Sequence, residues 1–180
     1  MNIYFDVETE GFDPKIDKII TIQYQELDYN GKPKGNLIIL KEWESSEEEI
    51  IKIVYNELII KDKWNWVIIG TNMIFDLTFL FEKFKKYNLP LKKTLSEYLY
   101  DKPLIDIKSA LIMANNLDFR GSGLDKMTNK ESNGKIIPEY YKNKEYSKIE
   151  EYIKQETYSF TEFFQKIIHK LKELKDGADS

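Results

Sequence analysis

Asp6 and Glu8 are the first residues whose types and spacing could support chemistry. Within the first eleven residues, apolar and polar side chains alternate from position 3 to position 8, the period of a strand with two different faces. Both carboxylates therefore point to the same face. Two like charges on a buried central strand are costly unless a cation neutralises them, and such pairs suit hard ions such as Mg²⁺ or Mn²⁺. The alternative is a solvated edge strand, where acidic residues are common.

Asp76 is the next candidate, because it follows a buried strand. Residues 66–70 form a continuous apolar run, as expected of a strand that is buried on both faces. Asn72 can cap the helix that follows, which places Asp76 in its first turn. A simple alternative is that the carboxylate only interacts favourably with the helix dipole.

Tyr152 and Glu156 are four residues apart, so that they are neighbours on one face of a helix. A tyrosine beside a solvated glutamate is commonplace, and three other pairs have the same spacing: Tyr141/Glu145, Tyr146/Glu150 and Tyr158/Glu162. The helical phase favours Tyr152 and Glu156, because both lie next to the apolar stripe that contains Ile149, Ile153 and Phe160.

Together these segments resemble the DEDD superfamily of 3′–5′ exonucleases. Residues 6–12, Asp-Val-Glu-Thr-Glu-Gly-Phe, look like the first motif of that family, and residues 72–76, Asn-Met-Ile-Phe-Asp, resemble the second. Residues 149–156 look like the third motif, in the form found in the tyrosine subclass. The histidine subclass is disfavoured, because His169, the one histidine, falls well after the third motif.

The resemblance implies two divalent metal ions, Mg²⁺ or Mn²⁺, as cofactors. It implies that Asp6 bridges the ions, that Glu8 and Glu156 hold the ion that activates water, and that Asp76 helps to hold the other. Tyr152 would orient the attacking water, because a phenol with a pKa of about 10 is a poor base at pH 7. The residues implied to face the terminal nucleotide are Thr9, Gly11, Phe12 and Asn72.

Glu156 departs from the family pattern, since the family has an aspartate at that position. The longer side chain leaves the metal geometry at this ligand open. Asp106, after a short strand, and residues 123–125, Gly-Leu-Asp, also resemble family positions, and we assign both to the scaffold.

The elements that must position these residues start with a three-stranded antiparallel meander. A hairpin loop at residues 30–35 separates strands predicted at 19–26 and 37–40, and alternation places Ile20, Ile22 and Tyr24 on one face. Ser45 and Ser46, with glutamates three residues on, predict the start of a helix that reaches about residue 60.

Later elements alternate between helix and strand. The helix after residue 72 has apolar positions at Ile74, Leu77, Phe81 and Phe84. We further predict a helix at 95–99, a strand at 104–107, a helix at 109–116, an irregular loop at 118–144 with one short helix near Leu124, and a long helix from 146 to about 174. The pattern predicts one domain, residues 1–175, with a frayed tail at 176–180.

Composition excludes several classes of protein. A net charge of −4, from 27 basic and 31 acidic residues, argues against a broad basic face that coats duplex DNA. It is compatible with an enzyme that grips one nucleic-acid end, because bound divalent ions offset a carboxylate cluster. The absence of cysteine excludes disulfides and thiolate zinc sites. No apolar run approaches the roughly 20 residues that span a bilayer, so we expect a cytoplasmic protein without a membrane partner.

The resemblance implies an α/β, ribonuclease H-like domain, whose mixed central sheet has three antiparallel strands and then parallel strands, flanked by helices. It implies a metal-dependent 3′–5′ exonuclease that acts on the 3′ end of single-stranded DNA or RNA. One alternative is a catalytically silent copy that serves as a nucleic-acid-binding or scaffolding module. Another is a ribonuclease H that cuts internally, which the third motif disfavours because it belongs to end-directed enzymes.

Overall fold

The computed structural model describes residues 1–57, 67–102, 104–127 and 134–178. Five strands in these residues form one mixed sheet: β1 (Asn2–Thr9), β2 (Ile19–Leu27), β3 (Pro33–Lys41), β4 (Val67–Gly70) and β5 (Leu104–Asp106). The strand order is β3-β2-β1-β4-β5. The first three strands pair antiparallel, whereas β4 and β5 are added in parallel. The predicted mixed sheet is confirmed, and β1 lies at its centre.

Seven α-helices flank the described sheet: α1 (Glu47–Tyr55), α2 (Met73–Lys86), α3 (Leu95–Asp101), α4 (Lys108–Ala114), α5 (Leu124–Met127), α6 (Ile137–Lys142) and α7 (Tyr146–Ala178). Helices α1 to α3 pack on the face that carries Ile3, Phe5 and Val7 of β1. The remaining helices pack on the other face, around Tyr4 and Ile20. The alternation along β1 thus separates an apolar face from the face that carries Asp6 and Glu8.

Ile20 lies on the opposite face from Ile22 and Tyr24, although alternation predicted one common face. The pairing of β1 with β2 shifts register after Glu8, which leaves Ile20 as an extra residue in a β-bulge. Ile20 therefore packs against α6 and α7, whereas Ile22 packs against α1 and α2. The sequence of β2 does not mark this bulge.

Asp106, at the end of β5, caps the start of α2. The predicted cap, Asn72, precedes the helix but makes no capping hydrogen bond with its side chain, and its φ of 60° is left-handed. The backbone N–H groups of Asn72 and Met73 instead donate to Asp106, at 2.8 and 3.0 Å. This contact supports the scaffold role assigned to Asp106. The apolar stripe of α2 also begins at Met73, because Ile74 is exposed.

The segment predicted as an irregular loop holds more structure than expected. Besides α5 near Leu124, it contains a 3₁₀ turn, Gly134–Ile136, and then α6, whose first residue, Ile137, is buried. Pro138 suits the first turn of that helix. This indication of a helix start lies within the polar segment 118–144, which was predicted as a loop. Residues 128–133, Trp66 and the predicted end of the first helix beyond residue 57 lie outside the described residues.

Helix α7 continues to Ala178, through part of the predicted tail. Side-chain contacts one turn apart support its exposed end, where Glu173 forms an ion pair with Lys170 and also contacts His169. None of the helices among the described residues combines the length and the hydropathy needed to cross a bilayer.

Candidate active site

A cavity of about 290 Å³ lies where β1, the first turn of α2 and the middle of α7 meet. All five residues that the sequence proposed as catalytic line it: Asp6, Glu8, Asp76, Tyr152 and Glu156. Leu124 and Asp125, which were assigned to the scaffold, line the same cavity. The structure therefore brings together residues from four separate elements.

The carboxylates of Asp6, Glu8 and Glu156 form the most compact acidic group at this cavity. One oxygen from each lies within 4.8 Å of the other two. Opposite ligands of one divalent ion are about 4–5 Å apart, twice the usual metal–oxygen distance. The three oxygens therefore fit a hard cation after small side-chain adjustments. Glu156 belongs to this group, with a side chain that is one methylene longer than the aspartate of the DEDD family pattern.

Asp76 is buried, with 3% of its surface exposed. Its Oδ1 accepts the backbone N–H of Val7 at 2.9 Å, beyond the point where β1 stops pairing with β4. Burial raises the pKa of Asp76 well above its usual value, and the charge of Asp6 raises it further. The ionised carboxylate is therefore costly in this position unless a cation approaches.

Gln23 holds Asp6 in place from the neighbouring strand. It lies opposite Asp6 in the β1–β2 register, and its Nε2 donates to Asp6 Oδ2 at 2.6 Å. Thr21 Oγ1 in turn donates to Gln23 Oε1 at 3.0 Å. The sequence analysis missed Gln23, although the polar phase of Thr21 and Gln23 matches that of the two acidic residues on β1.

Tyr152 is the buried member of the repeated tyrosine–glutamate pattern. It is 5% exposed, whereas Tyr158 is 63% exposed and donates to Glu162 at 3.0 Å. Tyr146 stacks on Trp43 instead. Burial raises the pKa of Tyr152 far above its usual value, and the charges of Glu156 and Glu8 add to this effect. The phenol therefore keeps its proton and acts as a donor.

Gly134 closes the cavity beside Tyr152. A Cβ at this position would lie 3.3 Å from Tyr152 Oη and 3.6 Å from Glu8 Oε2. A side chain here would therefore crowd the hydroxyl group of Tyr152 and contact Glu8. Sequence reasoning missed Gly134, because nothing local connects it to residues on β1 and α7.

An adjoining cavity of about 630 Å³ contains three of the four residues predicted to contact substrate: Thr9, Gly11 and Phe12. The fourth, Asn72, lines the first cavity. The two cavities meet at Val7, Glu8, Phe75 and Gly134. Thr9 Oγ1 donates to the carbonyl of Gly11 at 2.6 Å. Phe12 is 80% exposed, with its ring 6.3 Å from Phe75, which leaves an aromatic face open to solvent.

Comparison with known proteins identifies the chain's relatives. The RNase H superfamily model matches residues 3–154. No curated protein matches the chain in sequence. A structure of exonuclease I superposes with a TM-score of 0.53 at 12% identity, over 69% of this chain and 34% of that one.

Two further structures of E. coli exonuclease I have the same fold. The complex with an oligonucleotide has a TM-score of 0.51 at 13% identity, covering 67% of this chain and 31% of that chain. The zinc-bound complex with single-stranded DNA has a TM-score of 0.51 at 14% identity, covering 67% and 30%. The chain thus spans about a third of the length of these proteins. The ribonuclease H-like α/β fold implied by the sequence is confirmed.

Proposed function

The chain belongs to the RNase H superfamily, and from this premise we propose that it is a metal-dependent 3′–5′ exonuclease acting on single-stranded DNA or RNA. One observation carries the proposal: oxygens of Asp6, Glu8 and Glu156 lie within 4.8 Å of one another. Asp76 lines the same cavity from a separate helix. Carboxylates gathered at one cavity are costly to a fold, and phosphodiester hydrolysis with two divalent ions gives these four a role.

The donor set fits Mg²⁺ or Mn²⁺, because it consists of carboxylate oxygens. Asp6, Glu8 and Glu156 would hold the ions together with Asp76. When bound, such ions supply a hydroxide nucleophile at neutral pH and stabilise charge on the leaving 3′-oxygen. Gln23, which donates to Asp6 Oδ2, would fix the orientation of the Asp6 carboxylate.

Tyr152 would orient the attacking water through its hydroxyl group. Burial and the neighbouring glutamates hold its pKa far above its usual value, so it donates a hydrogen bond and does not remove a proton. A positioned group of this kind contributes through geometry, because catalysis is sensitive to displacements of about 1 Å.

The adjoining cavity would receive the terminal nucleotide. Gly11 lines this cavity, and the exposed ring of Phe12 offers a surface on which a base can stack. Single-stranded DNA is the ligand in a complex of E. coli exonuclease I, whose fold this chain shares. We therefore propose that single-stranded 3′ ends are the substrate.

The decisive experiment is digestion of 5′-labelled single-stranded DNA and RNA with Mg²⁺ or Mn²⁺. We expect a ladder of products shortened from the 3′ end, and no ladder with chelator or with Asp6→Ala. Circular single-stranded DNA is the control, because an end-directed enzyme leaves it intact. Cutting of the circle would support an internal nuclease instead. Binding without cleavage of any substrate would support a silent binding module.

A further inference from the structure

Lys83 is a fully buried lysine of α2 that the proposed chemistry does not use. Its Nζ donates to two backbone carbonyls, those of Pro14 at 3.0 Å and Asp17 at 2.5 Å. Both carbonyls belong to residues 10–18, the loop that joins β1 to β2. A single ammonium group therefore fastens this loop to α2.

The charge of Lys83 is balanced inside the protein. Glu47 Oε1 lies 3.6 Å from Lys83 Nζ, and it also accepts the backbone N–H of Ile19 at 2.9 Å. The other oxygen of Glu47 accepts from Lys86 and Tyr87, at 2.6 and 2.5 Å. Burying an ion is costly even when it is paired, and an aliphatic residue would fill the same space without that cost. Besides this pairing with Glu47, the ammonium provides the two hydrogen bonds to the loop, which an aliphatic residue cannot make.

Contacts within the loop connect the carbonyl that Lys83 binds with the cavity beside the carboxylates. Asp17, whose carbonyl Lys83 holds, accepts the backbone N–H of Asp13 through Oδ2 at 2.8 Å. The same oxygen would lie 2.3 Å from a Cβ at Gly11, so the Asp17 side chain packs directly against Gly11. Gly11 and Phe12 line the adjoining cavity. A chain of contacts thus leads from Lys83 through Asp17 to the surface that would face substrate.

Lys83 and Asp76 are seven residues apart on α2, two turns along the same helical face. One rigid element therefore holds a proposed metal ligand at its first turn and the loop anchor near its end. We propose that Lys83 is a positioning residue, which fixes residues 10–18 relative to Asp76 so that the 3′-terminal nucleotide meets a preorganised site. The proposal rests on the function proposed above, because it assigns the adjoining cavity to that nucleotide.

Lys83→Met tests the proposal, because methionine keeps most of the side-chain volume and removes the ammonium. A mobile loop costs binding, whereas the carboxylates stay in place, so KM for a single-stranded oligonucleotide should rise about tenfold while kcat changes less than about twofold. Lys86→Met is the matched control: it removes a partner of the same glutamate, but Lys86 makes no contact with the loop among the contacts described. Its KM should stay within about twofold of the parent value.

Amide hydrogen exchange provides a readout that does not depend on nuclease activity. The N–H groups of Ile16 and Asp17 both donate to the carbonyl of Asp13 inside the loop. Their exchange should accelerate about tenfold or more in Lys83→Met and not in Lys86→Met. If the parent protein lacks nuclease activity, the proposed function fails, and the exchange rates alone decide whether Lys83 anchors the loop.

Asp17→Ala is the second variant, should Lys83→Met fail to fold. It leaves the buried lysine intact and removes the side chain that connects Asp13 with Gly11, so the same rise in KM is expected. Unchanged KM and unchanged loop exchange in a folded Lys83→Met would overturn the proposal. A fall in kcat of about tenfold with constant KM would also overturn the proposal, since that pattern indicates displacement of the carboxylates.

Discussion

Asp76 and Glu47 are two carboxylates with almost the same burial, 3% and 4% exposed, and their pKa values move in opposite directions. Burial raises the pKa of both. At Asp76 the charge of Asp6 adds to that rise. At Glu47 hydrogen bonds from Lys86 and Tyr87, together with the backbone of Ile19 and the charge of Lys83, outweigh burial and lower the pKa.

The difference shows that the chain itself balances the charge of Glu47, whereas the charge of Asp76 would be balanced by a bound cation. The carboxylate of Glu47 forms ion pairs with two lysines and accepts a hydrogen bond from a tyrosine. Around Asp76, the described residues that line the cavity include three further carboxylates of the proposed metal site and Asp125, but neither lysine nor arginine. Since both carboxylates contact α2 or belong to it, one helix carries a structural ionic cluster and a candidate metal centre.

The largest effect is expected from removal of a carboxylate of the like-charged cluster. Glu156→Ala should lower the single-turnover rate more than about 100-fold, because loss of a ligand costs at least as much as loss of the groups that support ligands. Glu156→Asp should lower it about tenfold, because the shorter side chain falls short of the ion. Rates in Mg²⁺ and in Mn²⁺ give the measurement.

Glu150→Ala is the control for this prediction, because Glu150 lies on the same helix and pairs with Lys41 at 2.9 Å. Its rate should stay near that of the parent. A fully active Glu156→Ala would place the fourth ligand elsewhere. A faster Glu156→Asp would mean that the natural glutamate is a compromised ligand.

Breaking the balanced cluster should affect stability more than catalysis. Glu47→Gln removes the charge opposite Lys83 and should lower the free energy of unfolding by about 3 kcal/mol, since one member of a buried pair is left behind. Urea denaturation measures the change. Glu48→Gln, which loses a solvent-exposed pair with Lys52, should cost less than about 1 kcal/mol. Equal losses in the two variants would contradict the comparison.

The smallest expected effect has the opposite sign. Asp76→Asn should raise the free energy of unfolding of the metal-free protein at pH 7, because burial and the charge of Asp6 make the ionised carboxylate costly. The amide oxygen can still accept the N–H of Val7.

The pH dependence of this variant follows from the direction of the shift. The pKa of Asp76 is raised in the folded state. Its contribution to the free energy of unfolding is therefore fully favourable below the usual carboxyl pKa, and it is lost as pH rises through the pKa of the folded state. The stability difference between Asp76→Asn and the parent should therefore shrink as pH falls toward 4. Denaturation curves with chelator across that range provide the check, and a destabilised variant at pH 7 would contradict it.

Local patterns predicted much of the fold and the candidate site. Alternation along β1 predicted that Asp6 and Glu8 share a face, and helical phase distinguished Tyr152 from Tyr158, which the structure places in solvent. The fold and superfamily are confirmed by comparison, whereas the catalytic roles of these residues stay predictions.

What the sequence did not predict depends on residues that are distant along the chain. Gln23 meets Asp6 only once strands have paired, and Gly134 meets Tyr152 only once α7 has docked. The side of the sheet on which Ile20 lies depends on a bulge in the register. No propensity or period within one segment encodes such contacts.

The cap that Asp106 provides makes the first turn of α2 depend on an edge strand. Strand β5 is three residues long and lies at the edge of the described sheet, paired with β4. Edges of sheets open more readily than their centres, and the capped N–H of Asn72 lies 34 residues before Asp106 in the chain. When β5 unpairs, the amides of Asn72 and Met73 lose their acceptor, and the turn that carries Asp76 loosens with them. We therefore expect a segment that lines neither cavity to contribute to the local stability of the turn that carries Asp76.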